Sequence, residues 1–171
     1  MRTLSLFRHA KSSWANPSHK DFERPLNGRG EKAAPRMGAF MARHDIAPDL
    51  ILCSAAVRTR QTLDLVLPHL AGSPRVIYED ALYLAGAPAL LTRIRKLGAK
   101  VRHAMLVGHD PGLHVLAQEL AGSGDGDDLE ALAAKFPTAG LAVIAFAGTT
   151  WPKVTRGAGR LEVFMTPKRL P

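Results

Sequence analysis

The sequence predicts one α/β domain with three layers, in which a mostly parallel central sheet is covered by helices on both faces. Short apolar segments alternate with longer amphipathic segments along most of the chain, which is the pattern of successive strand and helix units. The chain has 171 residues, 46% of them hydrophobic, so it can bury one core and is short for two domains. We therefore expect residues 1–171 to form a single domain.

The predicted strands are short apolar runs rich in leucine, valine and isoleucine. They are Thr3–Phe7, Asp49–Cys53, Arg75–Tyr78, Ala104–Gly108, Leu141–Phe146 and Leu161–Met165. Because helical segments separate the first four strands, these strands should pair in parallel, and one strand near the end of the chain should be antiparallel.

Four helices are predicted between these strands. They are a helix ending near Arg43, Ala55–Leu70, Pro88–Leu97 and a helix starting at Pro111. Pro35 removes a backbone hydrogen bond inside the first helix, which predicts a late start or a kink there. Lys11–Asn27 is polar and contains two prolines, so we expect a long loop that lines a site. Gly122–Asp128 is rich in glycine and aspartate, so we expect a mobile surface loop.

The composition favours anionic partners. Lys and Arg number 23 against 15 Asp and Glu, which gives a formal net charge of +8 and a pI near 10.2. The basic residues are scattered and aromatic residues make up only 6%, so we expect no nucleic-acid partner. No apolar run reaches the roughly 18 to 20 residues needed to cross a bilayer, so we expect no membrane partner. Cys53 is the single cysteine and cannot form an internal disulfide, which fits a reducing compartment. We expect a cytoplasmic monomer or weak dimer.

Residues suited to binding phosphate follow three of the predicted strands. Arg8 and His9 follow the first strand, Ser54–Arg58 follows the second, and His109 follows the strand that ends at Gly108. Since the carboxyl ends of parallel strands meet at one edge of a sheet, these side chains should converge. Two histidines and two arginines together predict a pocket for a tetrahedral dianion.

Four segments resemble motifs of the histidine phosphatase superfamily. Phe7–Trp14 (FRHAKSSW) is similar to its Arg-His-Gly signature, with Ala10 in place of glycine. Arg24–Gly30 (RPLNGRG), Ser54–Thr62 (SAAVRTRQT) and Val107–Leu113 (VGHDPGL) resemble three further motifs in the same order. The SixA-type branch, the phosphohistidine phosphatases, is the most similar. The resemblance implies a phosphoglycerate mutase-like fold.

The resemblance also implies roles for individual residues. The candidate catalytic residues are Arg8, His9, Arg58 and His109. His9 would attack phosphorus and carry the phosphoryl group, while Arg8, Arg58 and His109 would bind its oxygens. Ser12 and Ser13 are candidate substrate-binding residues on the following loop. Covalent catalysis through histidine implies no metal and no other cofactor.

The expected substrate depends on whether the site contains an acid. Esterases and mutases of this superfamily often use a carboxylic acid after the third strand to protonate the leaving alkoxide. Here the expected position lies near Leu82 and Tyr83, although Glu79 and Asp80 are close enough to keep the question open. Without an acid, a phosphoramidate is favoured, because an imidazole with a reference pKa of about 6.5 leaves readily. We therefore predict a phosphatase that acts on phosphohistidine in a protein.

Two other functions remain open at this point. A broad-specificity phosphomonoesterase of small phosphorylated metabolites would use Glu79 or Asp80 as its acid. A non-catalytic module would use the same pocket to recognise phosphoproteins or RNA, but the presence of all four candidate catalytic residues argues against it. The chain is too short for the insertions that form lids in the larger mutases, which fits an open site and a protein substrate.

Overall fold

Seven strands form a single sheet in the computed structural model, which describes residues 1–171. The strands are β1 (Arg2–Arg8), β2 (Leu50–Ser54), β3 (Arg75–Glu79), β4 (His103–Gly108), β5 (Ala121–Gly124), β6 (Leu141–Phe146) and β7 (Gly159–Met165). The α-helices are α1 (Gly28–Arg43), α2 (Val57–Val66), α3 (Ala87–Arg95), α4 (Gly112–Leu120) and α5 (Gly126–Ala134). None of these helices combines the length and the apolar character that crossing a bilayer requires.

The sheet is mostly parallel. Its strands lie in the order β3-β2-β4-β1-β6-β7-β5. The pairs β3-β2, β2-β4, β4-β1 and β7-β5 are parallel. β6 is antiparallel to both of its neighbours, β1 and β7. The prediction of a mostly parallel sheet with one antiparallel strand near the end of the chain is confirmed.

Two clusters of buried apolar side chains cover the two faces of the sheet. On one face, residues of α1 and α2 such as Met37 and Leu63 pack with Phe7 of β1. On the other face, residues of α3, α4 and α5 pack with Leu6 of β1. Because successive side chains of a strand point to opposite faces, β1 contributes to both clusters. Cys53 lies in the first cluster, and burial raises the pKa of its thiol to about 12.

Prolines affect two helices differently from the prediction. Pro35 neither delays nor interrupts α1, which begins at Gly28. The side chain of Asn27 accepts a hydrogen bond from the backbone N–H of Gly30 and caps the helix there. α2 ends at Val66, earlier than predicted, and continues as a single 3-10 turn that contains Pro68. Pro68 has no N–H with which to continue the α-helical bonding.

The prediction of a mobile loop at Gly122–Asp128 is wrong. This segment contains the end of edge strand β5, which pairs in parallel with β7, and the start of α5. The side chain of Asp125 caps α5 by accepting hydrogen bonds from the backbone N–H groups of Asp127 and Asp128. A Cβ on Gly122 would lie 1.9 Å from the carbonyl oxygen of Gly157, so glycine allows two backbone segments to approach there.

Candidate active site

The carboxyl ends of β1, β2 and β4 lie side by side and lead into one pocket. β1 and β2 each pair with β4 in registers that end the three strands at the same level. The pocket has a volume of about 260 Å³, and Arg8, His9, Arg58 and His109 all line it. The structure therefore brings together the four residues that the sequence identified as candidate catalytic residues.

His9 is buried, and its surroundings select one tautomer. Its Nδ1 lies 2.7 Å from the carbonyl oxygen of Ala10, so Nδ1 carries the proton and donates a hydrogen bond to that oxygen. Its Nε2 keeps the lone pair and accepts a hydrogen bond of 3.3 Å from Nε of Arg58. Burial lowers the pKa of His9 to about 3; the bond to Ala10 opposes this shift, and the charge of Arg58 adds to it. His9 is therefore a neutral imidazole with a nucleophilic nitrogen in the pocket.

Arg58 connects the two histidines. It lies in the first turn of α2 with only 3% of its surface exposed. Besides its bond to His9, its Nη2 lies 3.3 Å from Nδ1 of His109. Its outer edge is held by Asp21, whose carbonyl oxygen is 2.7 Å from Nη1 and whose Oδ2 is 3.0 Å from Nη2. These contacts fix a forked, permanently charged donor at the centre of the site.

His109 is also a neutral imidazole. Its Nδ1 accepts from Arg58, so its Nε2 carries the proton and donates to Oγ of Ser54 at 2.8 Å. Burial, followed by the charge of Arg58, lowers the pKa of His109 to about 4, while Asp21 opposes the shift. The sequence left the protonation state of His109 open, and this environment favours the uncharged form.

We expect three of the seven histidines to remain uncharged between pH 5 and pH 8. They are His9, His109 and His103, whose burial lowers its pKa to about 4. A lowered pKa means that protonation requires a more acidic solution, so their ¹⁵N NMR shifts should stay at neutral values until the pH falls towards 4. Assigned shifts of His9 or His109 with a midpoint near 6.5 would contradict this environment.

Arg8 contributes a second guanidinium to the pocket. Its Nη1 donates to the carbonyl oxygen of Phe136 at 2.9 Å, which anchors the side chain. Its Nε is buried and has no hydrogen-bond partner in the protein. Burial lowers the pKa of Arg8, and the nearby carboxylate of Asp110 opposes this shift. An arginine with an unused buried donor is suited to bind a phosphoryl oxygen.

Neither acid that the sequence left open lies in the pocket. Glu79 is bound to Arg93, whose Nε and Nη2 lie 2.9 Å and 2.8 Å from its carboxylate oxygens. Asp80 is exposed on the turn after β3, and it does not line the pocket either. Asp110, directly after His109, does line it, and Oδ1 of Asp110 is buried without a hydrogen-bond partner. Asp110 directly follows His109 in the sequence motif VGHDPGL, and this position could have identified it as a pocket residue.

The loop after β1 contributes part of the pocket wall. Ser12 lines the pocket, where its Oγ accepts a hydrogen bond of 2.7 Å from Nη1 of Arg24. Ser13 does not line it, because its hydroxyl turns back to accept a hydrogen bond from the backbone N–H of Ala15. Trp14 lines the mouth and is 76% exposed, with the guanidinium of Arg24 stacked 3.5 Å from its ring centre. Ser12 therefore remains a candidate substrate-binding residue, and Ser13 does not.

Asp21 and Tyr83 belong to the site although the sequence did not identify them. The carboxylate of Asp21 binds Arg58 and Arg24 and accepts a hydrogen bond from the hydroxyl of Tyr83. Burial raises the pKa of Asp21, but the hydrogen bonds from Tyr83 and Arg58 outweigh it and lower the pKa to about 2. The ring of Tyr83 packs edge-on against His109 at a centroid distance of 5.3 Å. These contacts join distant parts of the chain, and no local pattern predicts them.

The arrangement is suited to transfer a phosphoryl group. A neutral histidine nitrogen faces a polar pocket, and two arginines and a second histidine surround it. Such donors stabilise the negative charge on the oxygens of a transferring phosphoryl group.

Comparison with known proteins identifies the family of this chain. Residues 4–83 match the family model of the histidine phosphatase superfamily (branch 1). A protein of Agrobacterium tumefaciens assigned as the phosphohistidine phosphatase SixA is 34% identical, with a TM-score of 0.82 over 97% of this chain and 98% of its own. A protein of Nakamurella multipartitia with the same assignment is 31% identical, with a TM-score of 0.82 over 97% and 96%. An uncharacterised protein of Mycobacterium tuberculosis is 36% identical over 94% of this chain and 99% of its own.

Proposed function

This chain belongs to the histidine phosphatase superfamily and to its SixA-type branch, and on that premise we propose that it removes phosphate from phosphohistidine in a protein, without a metal, through a phosphoryl intermediate on His9. The environment of His9 is the observation that carries this proposal. Nδ1 is fixed to Ala10, so the lone pair of Nε2 lies in the pocket beside Arg58. That is the geometry a histidine nucleophile needs.

In the first step, Nε2 of His9 attacks the phosphorus atom of the substrate. A new P–N bond forms while the P–N bond to the substrate imidazole breaks; the substrate ring carries a proton on its other nitrogen, so it departs as neutral imidazole. Arg8 and Arg58 bind the phosphoryl oxygens, which gather negative charge in the transition state. In the second step, water attacks phosphorus, the bond to His9 breaks to restore the neutral imidazole, and the phosphoryl group leaves with both protons of the water as dihydrogen phosphate.

The mouth of the pocket supports a protein substrate over a small metabolite. Trp14 and Leu84 both line the pocket and are 76% and 54% exposed. Aromatic residues such as Trp14 are enriched where one protein contacts another. A small phosphorylated metabolite would leave both side chains in water.

The test is to compare two substrates without added metal and in the presence of a chelator. A histidine-phosphorylated carrier protein should release phosphate with a higher kcat/KM than a simple alkyl phosphate such as glycerol phosphate. Equal or faster hydrolysis of the alkyl phosphate would overturn the proposed substrate. Recovery of activity only with a divalent cation would overturn the metal-independent mechanism.

Asp110 supports a second candidate function, a phosphomonoesterase acting on small phosphorylated metabolites. Its carboxyl group lines the pocket, so it could protonate a leaving alkoxide if it held a proton. If this route operates, Asp110→Asn should lower alkyl phosphate hydrolysis by about 10²-fold and affect phosphohistidine much less. Imidazole is a better leaving group than an alkoxide, so its departure depends less on protonation by an acid in the site.

Glu79→Gln is the matched control for Asp110→Asn. Glu79 is paired with Arg93 outside the pocket, so the change should leave the turnover of both substrates within about twofold. A large loss of alkyl phosphate hydrolysis in Glu79→Gln, with Asp110→Asn unaffected, would reverse the assignment of the acid.

A further inference from the structure

A second cavity adjoins the catalytic pocket. It has a volume of about 410 Å³ and shares Lys11 and Thr138 with the pocket wall. We call it the basic groove because five cations line it, namely Lys11, Arg29, Lys135, Lys168 and Arg169. No aspartate or glutamate lines it. The groove therefore has one sign of charge and continues directly from the site of phosphate chemistry.

The charges of the basic groove are available to a ligand. Arg169 is bound to Asp128 at 2.8 Å, whereas the other four cations form no ion pair within the chain. Lys11, Arg29, Lys135 and Lys168 are also exposed. Distant parts of the chain bring these cations together, and their mutual repulsion is unfavourable without a counter-charge. An anionic ligand would remove this repulsion.

Part of the wall of the basic groove is apolar. Ala131 and Ala134 of α5 and two prolines contribute to it, and Phe164 of β7 lines it with only 2% of its surface exposed. A ligand that matches the whole groove therefore carries an apolar group as well as negative charges. The catalytic pocket of about 260 Å³ is large enough for a phosphoryl group, so the groove is additional binding surface.

We propose that the basic groove binds an acidic segment of the phosphorylated protein substrate, with an apolar side chain of that segment against Ala131 and Ala134. This inference rests on the proposed function, because the phosphohistidine of the same protein would occupy the pocket. The shared wall at Lys11 and Thr138 allows one polypeptide to extend from the pocket into the groove. The exposed Trp14 and Leu84 extend the same contact surface around the pocket mouth.

Two synthetic phosphohistidine peptides of equal length test the groove. One carries glutamate and leucine beside the phosphohistidine, and the other carries glutamine and leucine. The wild-type protein should use the acidic peptide with a kcat/KM about tenfold higher, and added salt should reduce this preference because it screens the charges. Lys135→Glu combined with Lys168→Glu should abolish the preference through KM, with turnover of N-phosphoimidazole kept within about twofold. Both lysines lie outside the catalytic pocket.

Lys96→Glu combined with Lys100→Glu is the matched control. These lysines are exposed and precede the amino-terminal end of β4, whereas the groove lies beside the residues that follow the carboxyl end of β1. The control therefore makes the same change in net charge at a distance from the groove. The control should keep the preference for the acidic peptide. Hydrolysis of both peptides at equal measurable rates by the wild type, or an equal loss of the preference in the control, would overturn the groove as a binding site.

Binding of the unphosphorylated peptides separates this inference from the proposed function. The acidic peptide should bind the wild type more tightly than the glutamine peptide, in a manner that depends on Lys135 and Lys168. If it does so while neither phosphohistidine peptide is hydrolysed, the proposed function is wrong and the groove remains a site for acidic polypeptide. Preferential, lysine-dependent binding of a single-stranded RNA over the acidic peptide would overturn the polypeptide assignment.

Discussion

Replacing His9 with alanine is expected to reduce phosphate release from a histidine-phosphorylated protein by about four orders of magnitude or more. Alanine has no atom that can attack phosphorus, so the covalent intermediate cannot form. Incubation with labelled substrate should leave acid-labile phosphate on the wild type and none on His9→Ala. A variant that retained more than a hundredth of the wild-type rate would exclude His9 as the nucleophile.

His19→Ala is the control for this change, because His19 is exposed on the loop after β1 and does not line the pocket. Its turnover should stay within about twofold of the wild type. His9→Ala should still bind inorganic phosphate, since Arg8, Arg58 and His109 remain. If the wild type binds phosphate but releases none from any substrate, the protein is a non-catalytic binding module.

Replacing Arg58 with alanine is expected to lower kcat by about 10²- to 10³-fold. The change removes the guanidinium that contacts both His9 and His109, and it leaves Asp21 near the pocket without that partner. Arg58→Lys keeps the charge but loses the fork, so it should recover only part of the rate. Circular dichroism and thermal unfolding of both variants would show whether the fold is retained.

Arg60→Ala is the matched control on the same helix. Arg60 donates to the carbonyl oxygen of Ala55 at 2.9 Å and stacks over the ring of Tyr78, outside the pocket. Its loss should change kcat by less than about twofold. A similar drop in Arg58→Ala and Arg60→Ala would mean that the effect comes from the packing of α2 and not from contact with phosphate.

The main part of the site could be predicted from the sequence because it follows from topology. Apolar strands are visible in the sequence, and parallel strands place the residues after their carboxyl ends at one edge of the sheet. Arg8 is the last residue of such a strand, His9 and His109 directly follow strands, and Arg58 lies in the first turn of the next helix. No knowledge of side-chain packing is needed for that conclusion.

The contacts of Asp21 could not be predicted in this way. Asp21 begins a single 3-10 turn within the long connection between β1 and α1, and it meets Arg58 and Tyr83, which are 37 and 62 residues away along the chain. A loop path depends on tertiary packing, such as the approach of Gly30, where a Cβ would lie 2.2 Å from the carbonyl oxygen of Lys11. The error at Gly122–Asp128 has a related cause, since β5 exists only because β7 pairs with it.

The exposed Trp14 at the pocket mouth has a practical consequence for optical measurements. The protein has two tryptophans, and the other, Trp151, is 1% exposed in the core. The two indoles therefore differ in their fluorescence: Trp14 emits from a watery environment that dissolved quenchers reach, and Trp151 from an apolar one that they do not. We therefore expect a protein bound at the pocket mouth to change the emission of Trp14, and unfolding to change that of Trp151, without any added label.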